Sequence, residues 1–410
     1  MVDDLFGEID KTKGIPSIIT VAGIGGGGGN AVNHMYRQGI MGVNFMVCNT
    51  DSQAVGKSPI LRKIVMGPGL GAGNDPKRGR EAAIESLDAI RECFDMLGTQ
   101  MLFLTAGMGG GTGTGATPVI AKLAREMGIL TVAIVTTPFT SEGSKRVKQA
   151  HEGMEELAKY VDSMLVIEND SIVKIYGDLP VYAAFRQADD ILAKAAKGIA
   201  ELITIGGTHN VDFADVRNVL RDSGRVHMSV ASADGEDRIE ELIDRSLNSP
   251  LMDRPITGAR DAIINISAAS FDEGITLSET ERIREAIRKA AGPNARGEDI
   301  NIIWGTTVKE ELGSALEMIL VAANFDESLG QNDAVRTNDR GPERIGGRTN
   351  RYADIESVYN IPAYQRRKFK MVVADGSTRG QGGTVVRFRG GGKEQPQTDI
   401  SSLFDMQNDD

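Results

Sequence analysis

The chain has 410 residues, 49 of them glycine, and a formal net charge of -11 at neutral pH. That length exceeds one ordinary core and divides into two or three folding units, and 40% hydrophobic with 25% charged residues places it among globular chains. The acidic balance excludes a general nucleic-acid binder, which depends on excess Lys and Arg at phosphate.

In chain order, a polar leader covers residues 1–14. Its opening MVDDLFGEID has no basic region followed by an apolar one, and no run of about 18 apolar residues occurs anywhere, so neither export nor direct membrane insertion is expected. Strand-like apolar runs at 18–22, 43–48, 101–105, 130–136 and 163–167 alternate with amphipathic helical patterns such as 79–97 and 117–127. This rhythm predicts a parallel, doubly wound α/β sheet over 15–181. Cys48 closes the second run and Cys93 is the one other cysteine, which points to reduced thiols and a cytoplasmic setting.

A long helical pattern, about 182–202 and interrupted only at Gly198, opens a connecting segment over 182–223. From 224 to 325, strand candidates at 262–267, 300–304 and 317–324 mix with helices at 236–247 and 278–291, predicting a second, smaller α/β domain. Residues 326–355 are rich in Asn, Asp, Arg and Gly and have too little apolar area to offset the entropy of ordering, so a flexible linker is expected. Residues 356–410 hold a short apolar and basic patch and then a glycine-rich tail.

Two glycine-rich turns carry the chemistry. The first, GIGGGGGNA at 23–31, lies between the strand at 18–22 and a helix starting near Asn30. Its Gly25, Gly26, Gly27, Gly28, Gly29 and Asn30 would bring backbone N–H groups and a helix N-terminus close to phosphate. Gly23, Gly25 and Gly28 also satisfy GxGxxG, and Asp51 stands where a ribose-binding acid would, so a dinucleotide site of an NAD-dependent oxidoreductase is an alternative. The second turn, AGMGGGTGTGATP at 106–118, contains Gly107, Met108, Gly109, Gly110, Gly111, Thr112, Gly113 and Thr114. Two such turns in one half of a chain imply a polyphosphate held from two sides, with threonine hydroxyls as added donors.

GGGTGTG, at 109–115, resembles the phosphate-loop signature of the tubulin superfamily, and over about 15–325 the chain resembles the FtsZ family. NTDSQA at 49–54, with Asn49 and Thr50, is similar to that family's second nucleotide loop. GLGAGNDP at 69–76, with Ala72 and Gly73, is similar to the third, and TPFTSEGSKR at 137–146, with Pro138, Glu142 and Arg146, to the fifth. The resemblance implies a Rossmann-like GTPase domain, a central helix and a smaller α/β domain that bind GTP or GDP with Mg²⁺. Glu142 and Arg146 would contact ribose and phosphate, where by themselves they read as a solvated ion pair.

By the same resemblance, Asn169 and Asp189 hydrogen-bond the guanine edge and Phe185 stacks on the ring. A carboxylate suits the guanine N–H donors that adenine lacks; Asp190 follows Asp189 directly, and a plain core aromatic is the alternative for Phe185. In NVDFADVR at 210–217, Asp212 and Asp215 share one face of a helix start. The residues alone read as acids complementing the helix dipole. The resemblance implies instead a loop, with Asn210, that reaches the neighbouring subunit's nucleotide and orients the attacking water near a metal ion.

As a whole, the resemblance implies a cytoplasmic GTPase that polymerises head to tail and forms the bacterial cell-division ring, hydrolysing GTP between successive subunits at the division site. A non-division tubulin-like filament is the alternative. IPAYQRRK at 361–368, from Ile361 to Lys368, resembles the peptide by which the family docks on membrane-anchoring and regulatory division proteins. Two features depart from the family pattern: 223–238 reads SGRVHMSVASADGEDR where a Met- and Gly-rich strand is usual, and the chain continues past Lys368 to Asp410. No GxxxxGK[ST], HExxH, CxxC or GxSxG is present, and the histidines at 34, 151, 209 and 227 are scattered, which leaves zinc, redox and acyl-transfer chemistry without support.

Overall fold

The structure, a computed structural model, describes residues 17–40, 42–171, 180, 183, 190, 193–194, 196–200, 203, 212–249, 255–270, 274–294, 297–326, 370–373 and 386–389. Its contacts divide the chain into two units, Met1–Asn332 and Asp333–Asp410.

The first unit is built on a seven-stranded parallel sheet. Its strands are β1 (Ile19–Ile24), β2 (Asn44–Asn49), β3 (Arg62–Val65), β4 (Met101–Gly107), β5 (Leu130–Thr137), β6 (Ser163–Glu168) and β7 (Gly224–Arg225), in the spatial order β3-β2-β1-β4-β5-β6-β7. The central strands are continuous runs of buried Val, Ile, Leu, Ala, Phe and Met, as a sheet covered on both faces requires. The chain winds outward from β1 through β2 to β3, then returns and winds the other way from β4. β1 and β4, paired from Ile19 opposite Met101 to Ile24 opposite Ala106, are therefore the point where the winding reverses.

The helices begin earlier than the residue pattern predicts. α1 spans Gly25–Arg37 and not from near Asn30, and α5 spans Gly111–Glu126 and not from Thr117. In both, the glycine run is the first turn of the helix, although glycine is a poor helix former. Close packing overrides propensity: a Cβ on Gly28 would lie 2.1 Å from the Thr105 carbonyl oxygen, and one on Gly115 would lie 1.9 Å from that of Pro76. Between β3 and β4, the helix expected over 79–97 is two, α3 (Pro76–Glu85) and α4 (Leu87–Met96). The break is at Ser86, whose hydroxyl donates to the Ala82 carbonyl and competes with the backbone ladder. α2 (Ser52–Lys57) and α6 (Ser144–Leu157) complete this domain.

One face of the sheet is covered by α3 to α6, around Phe94, Leu102, Leu104 and Ile120. The other packs against the connecting helix at Ala193, Ala196, Ile199 and Ala200, against α7 (Phe213–Leu220), and against strands of the second sheet. That sheet has the order β10-β9-β11-β8, formed by β8 (His227–Ala233), β9 (Asp261–Ala268), β10 (Asn301–Val308) and β11 (Leu316–Ala323). Its outer face carries α8 (Arg238–Leu247) and α9 (Leu277–Ala291), packed through Leu242, Ile283 and Ile287. The atypical segment at 223–238 supplies β7 and β8, with Met228, Ala231 and Ala233 buried. Arg238 from α8 reaches Glu279 of α9 at 3.1 Å and donates to the Gly274 carbonyl, pinning the two helices together. Cys48 and Cys93 are buried free thiols, each with its pKa raised by that burial. No described helix is long and apolar enough to cross a membrane.

In the second unit, β12 (Lys370–Val373) pairs antiparallel with β13 (Val386–Arg389), Lys370 opposite Arg389 and Val373 opposite Val386. The glycine-rich composition carries no signal for this ladder beyond two short β-branched runs. The linker at 326–355, apart from Asp326, and the segment from Ile361 to Lys368 lie outside the described residues.

Candidate functional site

In a parallel α/β sheet, ligands sit beyond the carboxyl ends of the strands where the winding reverses. Here those ends belong to β1 and β4, and both glycine-rich turns leave from them. α1 and α5 start side by side: a Cβ on Gly25 would stand 2.9 Å from the Gly113 nitrogen, and one on Gly27 would stand 3.3 Å from the Gly107 nitrogen. Neither helix has a side-chain cap, and neither carries an acid in its first turn. α4, α6 and α8 also start without a side-chain cap, whereas side chains close the starts of α2, α3, α7 and α9, namely those of Asp51, Asp75, Asp212 and Thr276; what sets α1 and α5 apart is that their starts meet. Two uncapped N-termini together leave a set of unsatisfied N–H donors and two positive dipole ends pointing at one place, which is an anion site.

The surrounding loops hold this cradle rigid. The Gly109 nitrogen donates to Thr114 Oγ1 at 2.8 Å, and Gly109 itself adopts φ +93° against Pro138 and the Arg146 carbonyl. Met108 is buried in the core, so only its backbone belongs to the site; its nitrogen donates to the Thr136 carbonyl. Thr50 and Thr112 share a hydrogen bond at 2.6 Å between their hydroxyls, joining the second loop to the start of α5. The third loop is laced to the second by the Gly71 nitrogen on the Thr50 carbonyl, and its Ala72 packs beside Gly111. Gly73 has φ +59° at the turn into α3. Asn49 is buried at the end of β2, where its side chain accepts from the Asp51 nitrogen at 3.4 Å.

Asp51 itself does not extend towards a ribose. Its carboxylate accepts from the nitrogens of Gln53 and Ala54 and caps α2, so the one acid that favoured a dinucleotide enzyme is engaged in local structure.

The glycines fall into two physical kinds. A Cβ on Gly28 collides with a strand carbonyl, whereas one on Gly26, Gly29 or Gly110 meets nothing within 4 Å. The protein's own packing does not require glycine at Gly26 or Gly110, and the open space beside them suits a ligand. Gly28→Ala is therefore expected to lower stability by about 3 kcal/mol or more, because the clashing atom is backbone and cannot move aside. Gly26→Ala should leave the melting temperature unchanged or slightly raised and weaken GTP binding. Thermal melts with and without GTP read both effects, and equal destabilisation by the two would sink the distinction.

Around the rim, Glu142 accepts from the Phe139 nitrogen at 3.0 Å and pairs with Arg146. Asn169 follows β6 directly and is buried, and its Oδ1 has no hydrogen-bond partner among the described residues. An unpaired buried acceptor costs free energy unless a ligand supplies the donor, so Asn169 fits a group presenting N–H. Asp190 is taken by α1, where His34 pairs with it and Gln38 donates to it at 2.9 Å. Asp189 and Phe185 lie outside the described residues, as does Asn210. The residue pattern held no sign of the His34 and Gln38 contacts, which depend on tertiary packing over more than 150 positions of sequence.

Asp212 and Asp215 close the start of α7 on each other. Asp212 accepts from the Asp215 nitrogen at 2.8 Å and Asp215 accepts from the Asp212 nitrogen at 3.3 Å, a reciprocal cap on α7. The far end of α7 is tied to the opposite edge of the sheet: Ser163, the first residue of β6, donates to the Leu220 carbonyl, and it pairs with Gly224. The phosphate cradle is at the carboxyl ends of β1 and β4, while the last turn of α7 docks at the amino end of β6.

The family pattern "Tubulin/FtsZ family, GTPase domain" matches residues 18–177, and "FtsZ family, C-terminal domain" matches 224–326. Cell division protein FtsZ 1 of Thermococcus kodakarensis is 44% identical over 323 residues, 78% of this chain and 84% of that protein. Cell division protein FtsZ of Porphyromonas gingivalis is 44% identical over 331 residues, 80% and 71% of the two chains. Among solved structures, an FtsZ dimer from M. jannaschii superposes with a TM-score of 0.67 at 38% identity, covering 74% of this chain and 87% of that one. With a GTPase-domain match over the cradle and relatives of this identity along most of their length, the chain belongs to the Tubulin/FtsZ family, in its FtsZ branch.

Proposed function

We propose that the chain binds GTP in the crevice beyond β1 and β4, assembles head to tail with copies of itself, and hydrolyses the GTP at the contact between successive subunits. The observation that carries this reading is the pair of uncapped, acid-free helix starts meeting at the switch point. A triphosphate lying between them takes N–H donors from both sides, from Gly25 to Gly27 and from Gly110 to Gly113, and their fixed direction favours charge that develops on the β- and γ-oxygens. Arg146 adds a cation at the rim, and Asn169 with Asp189 reads the base while Phe185 stacks on it.

Mg²⁺ brought in with the nucleotide would supply charge neutralisation at its phosphates. Asp212 and Asp215, with Asn210, act from the next subunit as the groups that orient the attacking water. The relatives are named for cell division and the M. jannaschii FtsZ is a dimer, which supports self-assembly and a place in the division ring. The segment from Ile361 to Lys368 would then be the docking peptide for membrane-anchoring and regulatory partners.

The reading is tested by light scattering after GTP and Mg²⁺ are added to the full chain. Scattering should rise above a threshold protein concentration, decay as GTP is consumed, and stay flat with NAD. GTP at about 100 times its Kd should also stabilise the fold by about 2.7 kcal/mol. A melting temperature insensitive to GTP, together with flat scattering, defeats the reading.

A further inference from the structure

Asp170, which no part of the nucleotide reading uses, makes the densest side-chain contact at the rim. Its Oδ1 accepts from the Thr140 nitrogen at 3.0 Å, its Oδ2 from the same nitrogen at 3.2 Å, and the Thr140 hydroxyl donates to Oδ2. These contacts join two segments thirty residues apart. Asp170 adjoins Asn169, whose buried acceptor is unpaired among the described residues. Thr140 opens the short helical turn Thr140–Glu142, whose Glu142 holds the Phe139 nitrogen and pairs with Arg146. The Arg146 carbonyl in turn abuts Gly109 of the second phosphate loop. An unbroken set of contacts therefore runs from the base acceptor to the phosphate cradle, and the link between Asp170 and Thr140 is the side-chain joint just beyond the last paired residues of β5 and β6, Thr137 and Glu168.

We infer that Asp170 is a positioning residue: by clasping Thr140 it fixes the orientation of Asn169 against the loop at 138–146, and so sets how strictly the site demands a guanine. The inference rests on the proposal that this site binds GTP. β6 ends at Glu168, so its strand ladder fixes the backbone only up to the residue before Asn169. A charge-assisted clasp on the next residue removes the remaining freedom, so that Asn169 Oδ1 meets the purine edge at one angle. Loosening it lets the acceptor turn to other partners, which lowers discrimination between bases more than it lowers affinity for the phosphates.

The test titrates the full chain, stripped of nucleotide, with GDP and with inosine diphosphate, which lacks the 2-amino donor of guanine. The unmodified chain should prefer GDP. Asp170→Ala should narrow that preference by roughly tenfold, as expected for loss of hydrogen bonds to a charged group. Thr140→Val, which removes the hydroxyl and keeps the backbone bond, should narrow it less. Thr140→Ser should restore it, and the Asp170→Ala/Thr140→Val pair should go no further than Asp170→Ala alone. An unaltered ratio in Asp170→Ala overturns the inference, whether affinity falls uniformly or not at all. If Asp170→Ala does not fold, equal ratios for Thr140→Val and Thr140→Ser overturn it. A chain that binds GDP selectively while these variants change nothing defeats the clasp alone; a chain with no affinity for either nucleotide defeats the GTP reading and the clasp with it.

Discussion

GTP should bind this chain about 10⁴-fold more tightly than ATP, the scale reached when a polar site rejects a partner that leaves its groups unpaired. The structural basis is Asn169, buried beyond β6 with its Oδ1 unpartnered among the described residues. Guanine offers a ring N–H and an amino group on the edge where adenine offers an acceptor and a C–H. Leaving a neutral buried acceptor without a donor costs about 1–3 kcal/mol, and leaving a carboxylate such as Asp189 without one costs more. Together these reach about 5 kcal/mol, or close to four powers of ten. Competition of ATP and GTP against a fluorescent guanine nucleotide measures the ratio directly. Asn169→Leu removes one acceptor and should compress the ratio by roughly tenfold while leaving phosphate affinity in place. Comparable affinities of the unmodified chain for the two nucleotides would refute guanine recognition at this position.

Strand positions in the first domain were legible because a parallel sheet buried on both faces produces uninterrupted apolar runs; β1, β2, β4, β5 and β6 differ from the runs in the sequence by only one or two residues at their ends. β3 was not legible. It is a four-residue edge strand, RKIV, mostly exposed, with no face that burial could mark. β8 was obscured because His, Ser and Ala stand at positions where its burial pattern would otherwise show as large apolar residues. The starts of α1 and α5 were hidden for the opposite reason, since packing selects glycine where helix propensity rejects it. At the site, glycine spacing located the cradle and the family resemblance supplied the loops around it. The contacts between Asp170 and Thr140, and between His34 and Asp190, had no local pattern to reveal them. Asp212 shows how one position supports two roles: the residues alone read as acids complementing the helix dipole, the isolated subunit uses them as a reciprocal cap, and the proposed catalytic role needs a second subunit.

That double role makes the choice of variant decisive at Asp212. Asp212→Ala removes the cap and should cost about 1 kcal/mol of stability, so a loss of turnover in it has two explanations. Asp212→Asn keeps a side-chain oxygen that can accept from the Asp215 nitrogen, and Asn is as good a cap as Asp, but it removes the charge that holds the water. If the carboxylate orients the nucleophile, Asp212→Asn should keep its melting temperature and GTP affinity while turnover falls by about 10² to 10⁴-fold. The same logic locates the partner half-site. Gly110 is the N-cap of α5 with open space beside it, so Gly110→Asp should cap that helix with its own carboxylate and repel phosphate from the cradle. A head-to-tail contact that does not close makes a filament, and in the proposed reading each subunit of it would present α7 to the nucleotide held by the next. Asp212→Asn holds an intact cradle and Gly110→Asp holds an intact α7 start. Mixed in equal amounts, the two should recover part of the turnover that neither has alone, and turnover of the unmodified chain per molecule should climb steeply with protein concentration. Turnover independent of concentration, with no recovery in polymers shown to contain both variants, would place the whole active site within one subunit.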